Sequence, residues 1–194
     1  MASKARYINS VRTEKMIYDA YTKLLWQKPM NKITVSDVVK LAGINRGTFY
    51  LHYPDINALV EIYENEIINT LMEIASITSF PEFCRNPMPI LTEIGDFLES
   101  QIDTNRAFSR FNTSDALFNE RIQNAYIEKR CADAMAQCRL SHVTPEECRQ
   151  IVSFISGGMM KLYHDWLRSD PLVPVATINK ALAELIRSCG KLLE

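Results

Sequence analysis

The sequence predicts an all-α protein, a short three-helix head followed by a larger helical body, and three observations carry that expectation. Apolar residues recur at spacings of three and four along nearly the whole chain, which is the pattern of one buried helix face. No stretch sustains the strict apolar-polar alternation of a half-buried strand. Glycine is scarce, six in 194 residues, so breaks between helices fall at a few defined places.

The first helix is expected from about Ser10 to Trp26, with Ile17, Ala20, Tyr21, Leu24 and Leu25 on one face. Gln27 to Asn31, with Pro29 inside it, ends that helix. A second, short helix runs from Thr34 or Val35 to Leu41, with Thr34 as N-cap and Asp37 three positions on, a variant of the capping box. Gly43 stops it, Asn45 caps a third helix through Leu51, and Pro54-Asp55 introduces a fourth from about Ile56 to Ile77. Residues 79 to 89 contain three prolines and read as a connection. Four more helices are expected at about 89 to 103, 114 to 140, 145 to 168 and 175 to 193, with a break near Asn105 to Thr113. The expected boundary separates a head of residues 1–58 from a body of residues 59–194.

A chain of 194 residues can bury roughly 70 % of its unfolded surface. Hydrophobic residues make up 47 % and charged residues 23 %, both ordinary globular values. No apolar run approaches the roughly 18 residues of a bilayer span, so no membrane partner is expected. The first ten residues, MASKARYINS, lack an apolar segment behind their basic residues, which leads to the expectation of a cytoplasmic protein without a secretory signal. Five cysteines with no Cys-x-x-Cys pair suit a reducing compartment and suggest neither a disulfide framework nor a zinc knuckle. The net charge of −1 hides an asymmetry: residues 1 to 56 hold nine Lys/Arg against four Asp/Glu, while the remainder carries 13 against 19. A basic head on an acidic body is the balance expected when only one part meets a polyanion.

The segment Ile33 to Tyr53, ITVSDVVKLAGINRGTFYLHY, holds the two short helices joined by a tight turn at Ala42-Gly43-Ile44. This is helix-turn-helix geometry, whose second helix lies in the DNA major groove. Arg46, just after the cap, can reach guanine O6 and N7. Thr48, Tyr50 and His52 carry hydroxyls and a ring nitrogen suited to phosphate oxygens, and Leu51 lies among them. Gly47 lets the backbone approach the duplex. Lys32, Thr34 and Ser36 gather at the start of the preceding helix, and with Asn45 they complete the expected DNA-binding set. Ile33, Val38, Leu41, Ala42, Ile44 and Phe49 are expected to form a small core with Ile17, Tyr21 and Leu24.

Thr34, the run Val38 to Gly43, and Gly47-Thr48-Phe49-Tyr50-Leu51-His52-Tyr53 followed by Leu59 resemble the N-terminal signature of the TetR family of bacterial transcriptional regulators, over about residues 10 to 60. That resemblance implies a three-helix DNA-binding domain with a helix-turn-helix, followed by a larger helical ligand-binding and dimerisation domain. It also implies DNA contacts at the positions of Arg46, Gly47, Thr48, Tyr50 and His52, and dimerisation through the last two helices. Where the family usually has lysine this chain has Ile56, and where serine is more usual it has Asn45. The stretch SGGMMKLYHDWLRSDPLVPVATINKALAELI resembles, more loosely, the end of one TetR subgroup.

Both final helices are apolar over more than a single core face, which calls for two neighbours, one of them a second subunit. The expected dimer residues are Ile155, Gly158, Met159, Leu162, Trp166, Ile178, Leu182, Leu185 and Ile186. Gly157-Gly158 costs about 1 kcal/mol per glycine relative to alanine, and close helix approach would offset it. Phe108, Phe111, Phe118, Tyr126, Met135, Met159, Met160, Tyr163 and Trp166 form a set that reads as ordinary core or as the wall of an apolar pocket, with Tyr163 or His164 as a polar contact. Cys138 and His142 stand four apart without a third ligand. No compact enzyme or cofactor motif is present, so no catalytic activity and no cofactor are expected. The expected partners are double-stranded DNA, a second copy of the chain and a small-molecule effector. The sequence favours a ligand-responsive repressor on a palindromic operator, and a helical adaptor or small-molecule carrier without DNA affinity remains the alternative, kept open by Ile56.

Overall fold

The computed structural model describes residues 2–111, 115–137 and 143–193, and side chains within residues 10–110, 117–136 and 143–192. Ten α-helices and two short 3-10 turns, with no strand, make up the described residues. They are α1 (Ala2–Leu25), α2 (Val35–Ala42), α3 (Arg46–His52), α4 (Ile56–Ala75), α5 (Phe80–Arg85), α6 (Met88–Ser100), α7 (Ile102–Phe111), α8 (Asp115–Gln137), α9 (Pro145–Arg168) and α10 (Val175–Gly190). They form two compact units: residues 1–65 with 106–113, and residues 66–105 with 114–194. The expected boundary at residue 58 lies inside the first unit, which runs on into α4 and takes in part of α7.

In the first unit α2 and α3 are too short to persist on hydrogen bonding alone. Side chains hold their ends. Thr34 Oγ1 accepts from the Asp37 N–H, and Asp37 Oδ2 accepts from the Thr34 N–H at 2.9 Å, the reciprocal capping box expected from the sequence. Lys28 pairs with the same carboxylate from the turn after α1. Gly43 adopts φ 69°, the left-handed conformation a helix end favours, and the Ile44 N–H donates to Val39 O at 3.1 Å. Ile17, Tyr21, Leu24, Ile33, Val38, Ala42 and Phe49 are buried, as expected, whereas Leu41 is 45 % exposed. Leu41 lies three residues after Val38 but turns outward, because eight residues give α2 only one buried stripe, made by Val38, Val39 and Ala42.

Two helices were not expected. α5 occupies the proline-rich 79–89 stretch: Ser79 caps it, Pro81 sits in its first turn, and Phe80, Phe83 and Cys84 are buried. Proline is harmless in a first turn because those N–H groups have no helical partner. α7 lies where a break was expected; the break falls instead at Gln101, where the Asn105 side chain donates to Leu98 O at 3.0 Å.

The second unit has a core drawn from α4, α5, α6, α8, α9 and α10. A polar clamp crosses it: Tyr163 Oη donates to Asn179 Oδ1 at 2.7 Å, and Asn179 Nδ2 donates to Leu91 O at 2.8 Å. Gly95 permits this approach, since a Cβ there would stand 3.1 Å from both Asn179 Nδ2 and Val175 Cγ1. Gly190 is tighter, its missing Cβ falling 2.6 Å from the Cβ of Cys84.

Two measurements check this account. Gly190→Ala should overpack the contact with α5 and cost about 1 to 3 kcal/mol, seen as a thermal midpoint several degrees lower. The Asp37 carboxyl is held well below the usual carboxylate range, first by its bond to Lys28 and then by those to Thr34. Its folded pKa being depressed, its contribution is full at neutral pH and fades as pH falls below the ordinary range of about 4. The urea midpoint of the natural protein should therefore exceed that of Asp37→Asn at pH 7, with the gap closing in acid.

Candidate nucleic-acid interface

Helix α3 is seven residues long, so its faces separate cleanly. Phe49 is fully buried, with Tyr50 and Tyr53 rings each 5.7 Å away, and Tyr53 closes the helix from the buried side. Arg46, Gly47, Tyr50 and Leu51 therefore point outward, positions i, i+1, i+4 and i+5 of one helix face. Tyr50 is 53 % and Leu51 85 % exposed. Two large, partly apolar side chains on so short a helix leave a contact surface that water covers poorly.

The remaining expected residues divide by what already holds them. Asn45 Oδ1 accepts from the Thr48 N–H at 2.8 Å and from Thr48 Oγ1 at 3.1 Å, so both residues are committed to the cap of α3. Gly47 belongs to the same device: a Cβ there would meet Asn45 Oδ1 at 3.2 Å. Its small size therefore protects the cap as well as leaving room outside. Arg46 Nη2 donates to Ser36 Oγ, linking the start of α3 to the first turn of α2. One of five guanidinium donors is used in this way. Lys32 is exposed beside Thr34, whose hydroxyl donates to Asp37. His52 is turned back: its Nδ1 lies 3.0 Å from Glu14 Oε1, which also accepts from Ser10 Oγ at 3.1 Å. His52 thus ties the end of α3 to α1. Ile56 is half-buried at the start of α4, whose first turn is capped by Asp55 Oδ1 accepting from the Ala58 N–H at 2.8 Å.

Sequence reasoning missed Glu14 and Lys28, the partners of His52 and Asp37. The pairs are 38 and 9 residues apart, and neither separation follows a helical or turn rule.

The expected pocket residues do not form one group. Tyr126, Met159 and Tyr163 share the core of the second unit. Phe108 packs in the first unit against Tyr63, 4.2 Å between ring centroids. Phe118 is half-buried, Met135 is 52 % exposed, and half-buried His164 lies 3.9 Å from Asp165 on the surface of α9. The side chain of Phe111 and the Cys138–His142 pair lie outside the described residues. Among the described residues no group of three or more His, Cys, Asp or Glu gathers as a metal site. No helix described is long and apolar enough to cross a membrane.

The expected dimer residues split as well. Ile155, Met159, Trp166, Leu182 and Ile186 are each at most 6 % exposed inside their own unit's core, so they are structural within one chain. Gly158 and Leu185 face outward and Leu162 and Ile178 are half-buried. Phe154, 72 % exposed one turn before Gly158, joins that outer face, and beyond the local backbone of α9 no described atom lies within 4 Å of a Cβ built at Gly158. A groove of about 460 Å³ runs beside it, lined by Ile151, Phe154, Cys189 and Leu192 among others.

Residues 17–62 match the family profile described as bacterial regulatory proteins, tetR family. An uncharacterized HTH-type transcriptional regulator of Bacillus subtilis (strain 168), YvdT, is 41 % identical over 59 residues, 30 % of each chain. The match thus spans under a third of that relative's length. Solved structures extend the likeness to the whole chain as a fold. The dihydroxyacetone kinase operon activator DhaS is 16 % identical with a TM-score of 0.67, covering 95 % of this chain and 99 % of its own. The fatty acid degradation regulator FadR from Bacillus halodurans is 16 % identical with a TM-score of 0.68, covering 90 % and 94 %. A TetR transcriptional regulator from Streptococcus agalactiae 2603V is 21 % identical with a TM-score of 0.61, covering 95 % and 98 %. The chain thus carries an N-terminal segment, residues 17–62, that matches the tetR-family profile, and it shares its all-α fold with these solved structures.

Proposed function

We propose that the protein is a cytoplasmic transcriptional regulator that binds a palindromic operator as a homodimer and lets go when a small molecule occupies its body, acting as a repressor. The observation that carries this reading is the outward face of α3: Arg46, Gly47, Tyr50 and Leu51 exposed on a helix whose buried face is fully occupied. Arg46 is the base-reading residue, presenting its remaining donors to guanine O6 and N7. Tyr50 donates to a phosphate, and Leu51 supplies an apolar contact suited to a thymine methyl. Lys32 and the first turns of α2 and α3 position the backbone. Thr48, Asn45 and His52 hold the helix rather than read sequence.

Two copies joined through the outer faces of α9 and α10 would place two α3 helices in successive major grooves, about 34 to 36 Å apart. Phe154, Gly158, Leu162, Ile178 and Leu185 are the residues assigned to that contact. Effector and operator oppose each other because each favours a different state of the dimer; only differential affinity can shift such an equilibrium.

Operator fragments selected from the source genome supply the test. Arg46→Ala should weaken binding by about 1 to 3 kcal/mol and relax preference at one base pair, while Tyr50→Phe should weaken all sequences alike. Equal losses on operator and random duplex for both variants would overturn these roles. An adaptor or carrier would show neither a preferred palindrome nor a steep salt dependence. In sedimentation experiments Phe154→Glu should convert dimer to monomer with unchanged helicity; a dimer that survives both this change and Leu185→Glu would refute the assigned contact.

A further inference from the structure

Arg130, on α8, is the largest fully buried side chain among the described residues, 0 % exposed. Its Nη1 donates to Thr78 O at 2.7 Å. The nearest carboxylate oxygen, Asp133 Oδ2, is 3.6 Å from that same Nη1 and is shared with Lys129 at 3.9 Å. On the other edge of the guanidinium neither Nε nor Nη2 makes a hydrogen bond of good geometry among the described residues, and neither does the buried hydroxyl of Tyr126, which lies near enough for Arg130 to oppose the effect of burial on it. The rings of Phe83 and Tyr126 flank the group, their centroids 5.2 and 5.3 Å from Cζ. Phe83 and Tyr126 are themselves buried, within a core that also holds Phe80, Cys84, Ile127 and Ala134.

Arginine stays charged under all conditions a folded protein meets, and a buried charge is normally paired and fully hydrogen-bonded. Leucine or methionine would fill the same volume without that cost. We propose that Arg130 anchors a buried site between α5 and α8 for an organic monocarboxylate with an apolar body. Nε and Nη2 together form the fork that matches the two oxygens of one carboxylate. A single open edge suits one negative charge, and the aromatic and aliphatic surroundings suit a hydrocarbon or arene behind it. Tyr126, kept a neutral phenol because burial raises its pKa, adds a third donor. This assignment rests on the ligand-responsive reading above and narrows its effector to a chemical class.

Calorimetric titration and thermal shift of the full chain with octanoate and benzoate, set against 1-octanol, benzyl alcohol and inorganic phosphate, test it. Either acid should bind at least tenfold more tightly than its alcohol. Arg130→Met should erase that preference, and Arg130→Lys, which keeps the charge but loses the fork, should reduce it. The comparison of acid with alcohol on the natural protein stands even if a variant fails to fold. Equal binding of acid and alcohol, no binding of either acid, phosphate binding as well as octanoate, or an undiminished preference in folded Arg130→Met would each overturn the site. Release of operator DNA by a neutral compound, with the acids inert, would sink this site and keep the regulator. Acid binding that leaves operator affinity untouched would keep the site and count against the ligand-responsive part of the regulator reading.

Discussion

A helix of two turns has no stability of its own, and the DNA-reading role assigned to this protein depends on how α3 is kept helical. Four of its N–H groups have no helical partner, and four of its carbonyls face the same problem at the other end. Asn45 satisfies the start, with Gly47 small enough to leave that cap undisturbed, while Phe49 drives one face into the first unit's core. Glu14 holds the far end through His52. Only a helix anchored at both ends and along one face can leave Arg46, Tyr50 and Leu51 exposed in fixed directions, and fixed directions are what base reading requires.

The second unit follows a different rule. Apart from the six-residue α5, its main helices α6, α8, α9 and α10 run 13 to 24 residues, so packing decides their arrangement, and the few buried polar groups mark where backbones approach closely. The Tyr163–Asn179–Leu91 clamp joins α9 and α10 to α6, and Trp166 Nε1 donates to Val173 O at 2.8 Å across the turn between α9 and α10. These groups are satisfied, which makes the open edge of Arg130 stand apart from them.

Sequence patterns served best where interactions are local. The capping box of Thr34 and Asp37, the left-handed Gly43, the Asn45 cap and the start of α9 at Pro145 all follow from residues within five positions of one another. They served worst where a pattern has more than one physical cause. Prolines at residues 81, 87 and 89 suggested a loop, yet they sit at or beside the first turns of α5 and α6. The wide apolar stripes of α9 and α10 suggested two neighbours but not which residues meet which: Ile155, Met159 and Trp166 turn to the core, while Phe154 and Gly158 turn outward.

The order of the residues by itself determined the all-α class, the ends of α2, α3 and α9, and the identity of the helix that carries Arg46 and Tyr50. Those properties arise from hydrogen bonds and steric limits within a few residues. Tertiary structure alone decided that His52 meets Glu14 across 38 residues, that Leu41 faces water, and that Arg130 is enclosed with three of its five donors unspent. Each of those outcomes depends on neighbours distant in the chain, and burial is a property of the packed assembly of helices, which no local spacing encodes.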